Sequence, residues 1–279
     1  MDPLVRSRVS SFFTSAISAH VRRYSVALLL PEGGLGSGTC LRIGQRFFVA
    51  TAAHVVCDVA ARDIYIVHQK SRSRDWTPID RVGARGGGRG EAIDVGYLEI
   101  SASTAQTMSC DFLELSRLDL ADTLPTEAHF MFGFPAELRT GIHPERELVR
   151  VIFMAYMTEK VSPEHAPAQV EDERHIALEY LEKGVIGPTD HSVEMPEPGG
   201  ISGGSIWAFR LGADDRLLSA ENARWVGIQH TFVRSRRIEY GSRVGDLLTL
   251  LVDDYRDIAP HVNTFAAMRF QDLLRRLTK

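Results

Sequence analysis

The sequence has too few cysteines for a disulfide framework or a cysteine-based metal site. Only Cys40, Cys57 and Cys110 occur among the 279 residues, and none forms a closely spaced pair with another. The ten histidines do not show the H-x-x-x-H spacing of a helical metal site. We therefore expect no metal and no other cofactor, and the low cysteine content favours a reducing compartment.

Long apolar runs are also missing. The first thirty residues place arginines on both sides of a short apolar stretch, which is typical neither of a signal peptide nor of a membrane span. The formal net charge of -4 gives no electrostatic reason to expect nucleic acid. The sequence thus predicts a cytoplasmic protein that binds neither membranes nor nucleic acid.

The sequence does contain enough apolar residues, 44% of the total, for a large core. Residues 24–250 are rich in short runs of β-branched and aromatic residues that glycine and proline interrupt, which predicts an all-β domain. Residues 1–23 and 251–279 instead have apolar residues at helical spacing. We expect an N-terminal helical extension and a C-terminal helical tail on either side of the β domain.

Three polar residues stand in apolar, β-rich surroundings. His54 ends the run FFVATAAH, Asp94 opens the strand DVGYLEI, and Ser202 lies in the glycine turn GGISGG. A serine nucleophile needs a base for its proton, and the base needs a carboxylate that fixes its tautomer. Glycines around the serine let the N–H groups of Gly200 and Ser202 point at one oxyanion. These residues are therefore candidates for a catalytic triad and an oxyanion hole.

The three segments resemble the signature segments of the trypsin-like (chymotrypsin-fold) serine peptidases, especially the bacterial ones. Those carry a strand ending T-A-A-H-V or S-A-A-H-C, an aspartate in D-[IV]-A-[LV]-L, and G-[DN]-S-G-G-P. The segments GFP (133–135) and WVGIQH (225–230) also resemble parts of the second barrel. The resemblance covers residues 24–250 and implies a double β-barrel with a boundary near residues 110–125. It also implies the triad roles given above.

Departures from the family pattern bear on activation. Ile201 precedes the serine where zymogen-type members carry an aspartate that pairs with a newly cut N-terminal amine. Isoleucine cannot form that pair, and residues 1–23 contain no recognisable activation site. We therefore expect no activation by N-terminal cleavage. Val55 follows the histidine where secreted members have cysteine, which agrees with a disulfide-free protein.

The strand at residues 227–232 resembles the wall of the substrate cleft in glutamate-specific and viral chymotrypsin-like peptidases. Gln229, His230 and Thr231 are therefore candidate cleft residues, and His230 is expected near the triad carboxylate. The family histidine occupies the position of Gln229, one residue before His230. Because a shift of one residue turns a side chain to the other face of a strand, a role in specificity and a merely polar strand end both remain open.

The resulting hypothesis is a serine endopeptidase that hydrolyses polypeptide substrates. Two alternatives remain: an effector whose protease activity a regulatory protein partner switches on, and a protease-like peptide-binding domain with latent activity. An α/β-hydrolase also uses G-x-S-x-G, but it requires the order serine, acid, histidine and alternating strands and helices. The order and the β-rich surroundings here do not fit it.

Overall fold

The computed structural model describes residues 16–67, 78–87, 92–120, 127–143, 148–171, 173–186, 192–210 and 220–277. Residues 16–22 are helical and form α1, whereas the rest of the predicted N-terminal helix lies outside the described residues. Within the described ranges, no helix combines the length and the apolarity needed to cross a bilayer.

The first half of the chain forms one sheet, together with two short helices. Its strands are β1 (Ser25–Leu29), β2 (Leu35–Ile43), β3 (Arg46–Thr51), β4 (Tyr65–Val67), β5 (Arg81–Gly86), β6 (Asp94–Ile100) and β7 (Leu113–Glu114). The order is β4-β1-β2-β3-β6-β5, all antiparallel, and β7 pairs in parallel with β2. The short helices are α2 (Ala53–Val56) and α3 (Ala102–Thr107).

The second half forms a larger antiparallel sheet and a separate strand pair. The strands of this half are β8 (Glu127–Gly133), β9 (Thr140–His143), β10 (Leu148–Arg150), β11 (Met154–Thr158), β12 (His175–Glu179), β13 (Lys183–Ile186), β14 (Ser192–Glu194), β15 (Ser205–Arg210), β16 (Arg224–Val233) and β17 (Ile238–Arg243). The sheet order is β12-β17-β16-β15-β8-β11-β13-β14, while β9 and β10 form a separate pair.

The strands are apolar on both faces because each face packs against a different core. In β3, Val49 belongs to an apolar cluster made of residues from the first half of the chain. Phe48 and Ala50 belong instead to a larger cluster that also contains Phe132 and Trp207 of the second sheet. A third cluster consists of residues from the second half of the chain. Alternating side chains of one strand thus serve two cores, which explains why the β-rich runs show no clear polar face.

Helix α4 (Val244–Asp254) continues directly from the last strand of the second sheet, and α5 (Ala259–Leu277) follows it. The chain end binds back to the first sheet: the Tyr97 hydroxyl donates to Asp254 at 2.6 Å, and the Tyr255 hydroxyl donates to Glu99 at 2.7 Å. The order of the elements, two sheets followed by two helices, confirms the predicted all-β architecture with terminal helices. The domain division at residues 23 and 250 stays a prediction; α4 runs across residue 250.

Candidate active site

His54 and Asp94 lie in direct contact. His54 sits in α2, three residues after the end of β3, and Asp94 is the first residue of β6, which pairs with β3. The His54 Nδ1 atom is 2.7 Å from Asp94 Oδ2, and the backbone N–H of His54 donates to Asp94 Oδ1 at 3.1 Å. This double contact fixes the imidazole with Nδ1–H toward the carboxylate and leaves Nε2 as the basic nitrogen.

The Asp94 carboxylate is held in its ionised form. Burial opposes ionisation, but the hydrogen bond and positive charge of His54, together with His230, outweigh it and hold the pKa of Asp94 below its ordinary value. The backbone N–H of Asp94 also donates to the Ser242 hydroxyl in β17, at 3.2 Å. Asp94 therefore lies where the two sheets meet, with contacts to both.

Ser202 is held against the first sheet by its backbone. Its carbonyl accepts a hydrogen bond from the N–H of Ser37 in β2, at 2.8 Å. The next residue, Gly203, lies so close that a β-carbon there would come within 2.0 Å of the Ser37 carbonyl oxygen and 2.1 Å of Thr51 Oγ1. Thr51 ends β3, three residues before His54. The structure thus places the glycine turn beside the strand end that carries the histidine.

Gly200 has the backbone conformation that the turn requires. Its φ is +89°, in the left-handed region that favours glycine, and a β-carbon there would approach the Ala136 nitrogen to 2.7 Å. Within the described part of the chain, the N–H groups of Gly200 and Ser202 donate to no backbone carbonyl. The predicted oxyanion hole requires N–H groups without backbone partners, and both groups meet this condition among the described residues.

Ser37 is a residue of the site that sequence reasoning missed. Its buried hydroxyl donates to the Gly200 carbonyl at 3.3 Å and accepts from the N–H of Phe134 at 2.9 Å. Its backbone binds Ser202 and Thr51, as the Thr51 hydroxyl donates to the Ser37 carbonyl at 2.8 Å. One small side chain thus joins the first sheet, the GFP segment and the glycine turn.

Gly87 is a second missed residue. Its φ is +90°, and a β-carbon there would lie 2.9 Å from the backbone nitrogen of His54 and 3.1 Å from the Ala53 side chain. Its own N–H donates to the Ile93 carbonyl, one residue before Asp94. The glycine run 86–88 signals a loop, but nothing in the sequence indicates that the loop packs on the histidine.

His230 lies near the same Asp94 oxygen that His54 contacts. Its Nδ1 atom is 3.8 Å from Asp94 Oδ2 and 2.8 Å from the hydroxyl of Thr231. Burial lowers the pKa of His230 to about 4, although the Asp94 carboxylate favours its protonation. The ring packs edge-on against His175 and Tyr240. His230 is therefore a buried neighbour of the carboxylate, and burial favours its neutral form.

A β-bulge determines how the candidate cleft residues are arranged. Gln229 lies opposite Gly241 and Thr231 lies opposite Tyr240, so His230 is an extra residue in β16. Gln229 is buried, its carbonyl accepts from the Gly203 N–H at 2.7 Å, and its own N–H donates to the Gly204 carbonyl at 2.8 Å. The backbone of β16 therefore pairs with the glycine turn, and the bulge breaks the strict alternation of side chains at His230.

Ile201 is fully buried and belongs to the apolar cluster of the second sheet, which also contains Met131 and Ile206. Its side chain thus occupies an apolar site. Among the described residues, no group of three or more His, Cys, Asp or Glu side chains is arranged to hold a metal ion.

Several solved structures share this arrangement of two sheets. They include the scabies mite inactivated protease paralogues SMIPP-S-I1 and SMIPP-S-D1, and HBP, each with a TM-score of 0.52. Sequence identities are 15, 16 and 14%; the alignments cover 86, 87 and 86% of this chain and 97, 93 and 93% of those chains. No protein-family model matches the chain, and no curated protein matches it by sequence.

The protein therefore has the fold of the chymotrypsin-type serine proteases, and the predicted double β-barrel is confirmed. Two of these structures belong to inactivated proteases, so the fold does not by itself establish activity. Activity has to be argued from the site itself.

Proposed function

We propose that the protein is a serine endopeptidase in which Ser202, His54 and Asp94 form the catalytic triad. The observation that carries the proposal is the 2.7 Å contact between His54 Nδ1 and Asp94 Oδ2 at the junction of the two sheets. The serine-bearing turn is bound to the adjacent strand ends by Ser37. A histidine with a buried carboxylate partner is the base that a serine nucleophile requires.

In the proposed reaction, Ser202 Oγ attacks the carbonyl carbon of the scissile peptide bond while His54 Nε2 takes the hydroxyl proton. The N–H groups of Gly200 and Ser202 stabilise the oxyanion. His54 then gives its proton to the leaving amine, and an acyl-enzyme remains on Ser202. A water molecule, deprotonated by His54, then attacks the acyl carbon; the bond to Ser202 Oγ breaks, the carboxylic acid product leaves, and His54 returns the proton to Oγ.

Asp94 orients His54 and stabilises the imidazolium that forms in each half of the cycle. Its low pKa supports this role, because only the ionised carboxylate attracts the positive charge. His230 supplies a second nitrogen close to the same oxygen. Gln229, His230 and Thr231 belong to the proposed wall of the substrate cleft.

The proposed enzyme works in the cytoplasm. It needs no N-terminal cleavage, because the residue before the serine, Ile201, is completely buried in an apolar cluster and has no group that could pair with a new amine. Its substrate is a polypeptide. The alternative is an enzyme whose activity a regulatory protein partner switches on. The experiment described next distinguishes the two.

The test compares hydrolysis of casein and of fluorogenic peptides by the wild type and by two serine variants. Ser202→Ala should lower the rate by about 10³-fold or more, because the members of a triad act as a unit. The matched control is Ser205→Ala, three residues on. The Ser205 hydroxyl is buried and has no hydrogen-bond partner among the described residues, so its removal should leave the rate within about twofold.

Equal activity of the wild type and Ser202→Ala would contradict the proposal. A wild type that cleaves only after a protein from the same cells is added, with the Ser202→Ala protein inert, would favour the gated effector. A folded wild type that cleaves nothing under any condition would favour the peptide-binding domain.

A further inference from the structure

Two of the three cysteines lie side by side, although they are 70 positions apart in the sequence. The Sγ atoms of Cys40 and Cys110 are 3.4 Å apart, and both side chains are free thiols. A disulfide bond holds two sulfur atoms about 2.05 Å apart, so an approach of roughly 1.4 Å would join them. The proposed peptidase reaction uses neither thiol.

Backbone hydrogen bonds hold both cysteine segments against the same stretch of chain. The N–H of Cys40 in β2 donates to the Tyr24 carbonyl at 2.7 Å. The N–H of Asp111 donates to the preceding carbonyl, that of Arg23, also at 2.7 Å. The Arg23 Nε atom also donates to Asp111 Oδ2 at 2.7 Å. The contact between the two sulfur atoms therefore follows from the path of the backbone.

The segment that carries Cys110 has the freedom to make the remaining approach. Residues 108–112 lie between α3 and β7 and belong to no helix or strand. Cys40, by contrast, lies within β2 and is paired with Val49 of β3. We therefore expect the Cys110 segment to move when the bond forms, while β2 stays in place.

The two thiols differ in exposure, and this difference determines the order of reaction. Cys40 is completely buried, whereas Cys110 is partly exposed. Burial raises the pKa of the Cys40 thiol well above its usual range, and a thiol that does not ionise is a weak nucleophile. A dissolved oxidant therefore reaches Cys110 first, and Cys40 is placed to react with the product.

We propose that Cys40 and Cys110 form a modification site that hydrogen peroxide converts to a disulfide bond. The Cys110 sulfur attacks one peroxide oxygen, the O–O bond breaks, and the thiol proton leaves with the other oxygen as water. Cys40 Sγ then attacks the sulfenic acid sulfur of Cys110, the S–O bond breaks, and the Cys40 proton leaves with the hydroxyl as a second water. Both sulfur atoms are oxidised, and the peroxide is reduced.

The bond would close a loop that contains both His54 and Asp94. A link between residues 40 and 110 restricts the unfolded chain and thereby stabilises the folded protein. In a reducing compartment both thiols stay free, so the link forms only under oxidising conditions and a thiol reductant reverses it. The site is thus a reversible brace on the half of the chain that carries the histidine and the aspartate. This inference does not depend on the proposed peptidase function.

The test exposes the whole chain to a small molar excess of hydrogen peroxide, blocks the remaining thiols with iodoacetamide, and maps the peptides without reductant. The wild type should yield one peptide pair joined through Cys40 and Cys110, about 2 Da lighter than the two reduced peptides together. Its melting temperature should rise by about 5 °C or more. Dithiothreitol should reverse both changes.

Two serine variants assign the link. Cys110→Ser removes the partly exposed thiol and should prevent both the link and the rise in melting temperature. The matched control is Cys57→Ser, which removes the exposed cysteine that follows α2 and should keep both.

A wild type that stays reduced, that carries sulfinic acid on Cys110 without a link, or that forms its disulfide through Cys57 would overturn the proposal. A link between Cys40 and Cys110 that leaves the melting temperature unchanged would also overturn it. If Cys110→Ser does not fold, the peptide map of the wild type still decides. These measurements do not involve hydrolysis, so failure of the peptidase proposal would leave them unchanged.

Discussion

At the scale of single residues, the proposed site depends on glycines as much as on polar side chains. Gly203 has a φ of +86°, and it leaves no room for a β-carbon against the Ser37 carbonyl and the Thr51 hydroxyl. Ser37 lies in β2, and Thr51 ends β3, the strand that leads to His54. The absence of a side chain at this position is what lets the serine turn approach the first sheet.

Gly203→Ala should therefore lower the melting temperature by several degrees and abolish peptide hydrolysis, because the turn must move away from β2 and β3. Gly199→Ala is the matched control: it lies in the same segment, and a β-carbon there meets nothing within 4 Å. It should change neither property appreciably. Thermal unfolding and a peptidase assay on the two variants check this, and equal behaviour of the pair would be evidence against the close approach.

Glu239 makes stability depend on pH. Its pKa is about 8 in the folded protein and 4.5 in the unfolded reference, so between these values the folded state keeps a proton that the unfolded state has lost. The stabilising contribution is thus complete below about pH 4.5, and it is lost as the pH rises through about 8. Glu239→Gln should remove this fall. Urea unfolding of both proteins between pH 5 and 9 is the measurement, and parallel curves would contradict the burial of the carboxyl group.

The candidate catalytic residues could be predicted from the sequence, whereas the residues that hold them in place could not. His54, Asp94 and Ser202 stand out because each is polar within an apolar or glycine-rich run. Ser37 and Gly87 resemble ordinary loop and strand residues. Their roles depend on strand register and on contacts between distant segments, such as the 2.9 Å bond from Phe134 to Ser37, which no local pattern encodes.

At the scale of elements, the strands were predictable but their irregularities were not. The extra residue in β16 places His230 beside Asp94, and a regular strand would alternate Gln229, His230 and Thr231 between two faces. A bulge depends on the pairing partner, here β17. The sequence alone therefore left the arrangement of the cleft residues open.

The C-terminal helices bind the first sheet through Tyr255, which is buried against the rings of Phe48 and Tyr97. Arg46 lies over the same ring at 4.4 Å and forms ion pairs with Glu99 and Asp257. Because aromatic burial outweighs partly exposed ion pairs, Tyr255→Ala should cost about 3 kcal/mol or more, and Arg46→Ala about 1 kcal/mol or less. Chemical denaturation measures both losses. The reverse ranking would mean that charge pairing, not packing, holds the helices.

At the scale of the whole molecule, the proposed site is a product of how two sheets meet. His54 and Asp94 belong to the half of the chain that forms the first sheet, and Ser202 and His230 belong to the half that forms the second. The two-barrel fold followed from the strand rhythm and the family resemblance. The anchoring of the chain end on the opposite sheet did not, because it joins residues far apart in sequence, such as Tyr97 and Asp254.

A variant at Ser37 tests whether the contact between the two sheets holds the serine-bearing turn in place. Ser37→Ala leaves the Phe134 N–H and the Gly200 carbonyl without their shared hydroxyl, which should cost about 1 to 3 kcal/mol of stability. It should also lower kcat, because the turn that carries Ser202 loses an anchor. Thr107→Ala, at the exposed end of α3, is the control and should change neither. Unfolding and kinetics on both variants decide, and a Ser37→Ala protein with unchanged kcat would show that the turn is held by other contacts.

The central claim is that Ser202 is an activated nucleophile, and covalent labelling tests it most directly. A fluorophosphonate probe reacts rapidly only with a serine whose proton an adjacent base removes. The measurement is the intact mass of the wild type and of the His54→Ala and Ser202→Ala variants after exposure to the probe, followed by peptide mapping. The account predicts one probe per wild-type molecule, mapped to Ser202, and none on either variant. A wild type that stays unlabelled, or a label on any other serine, would contradict it.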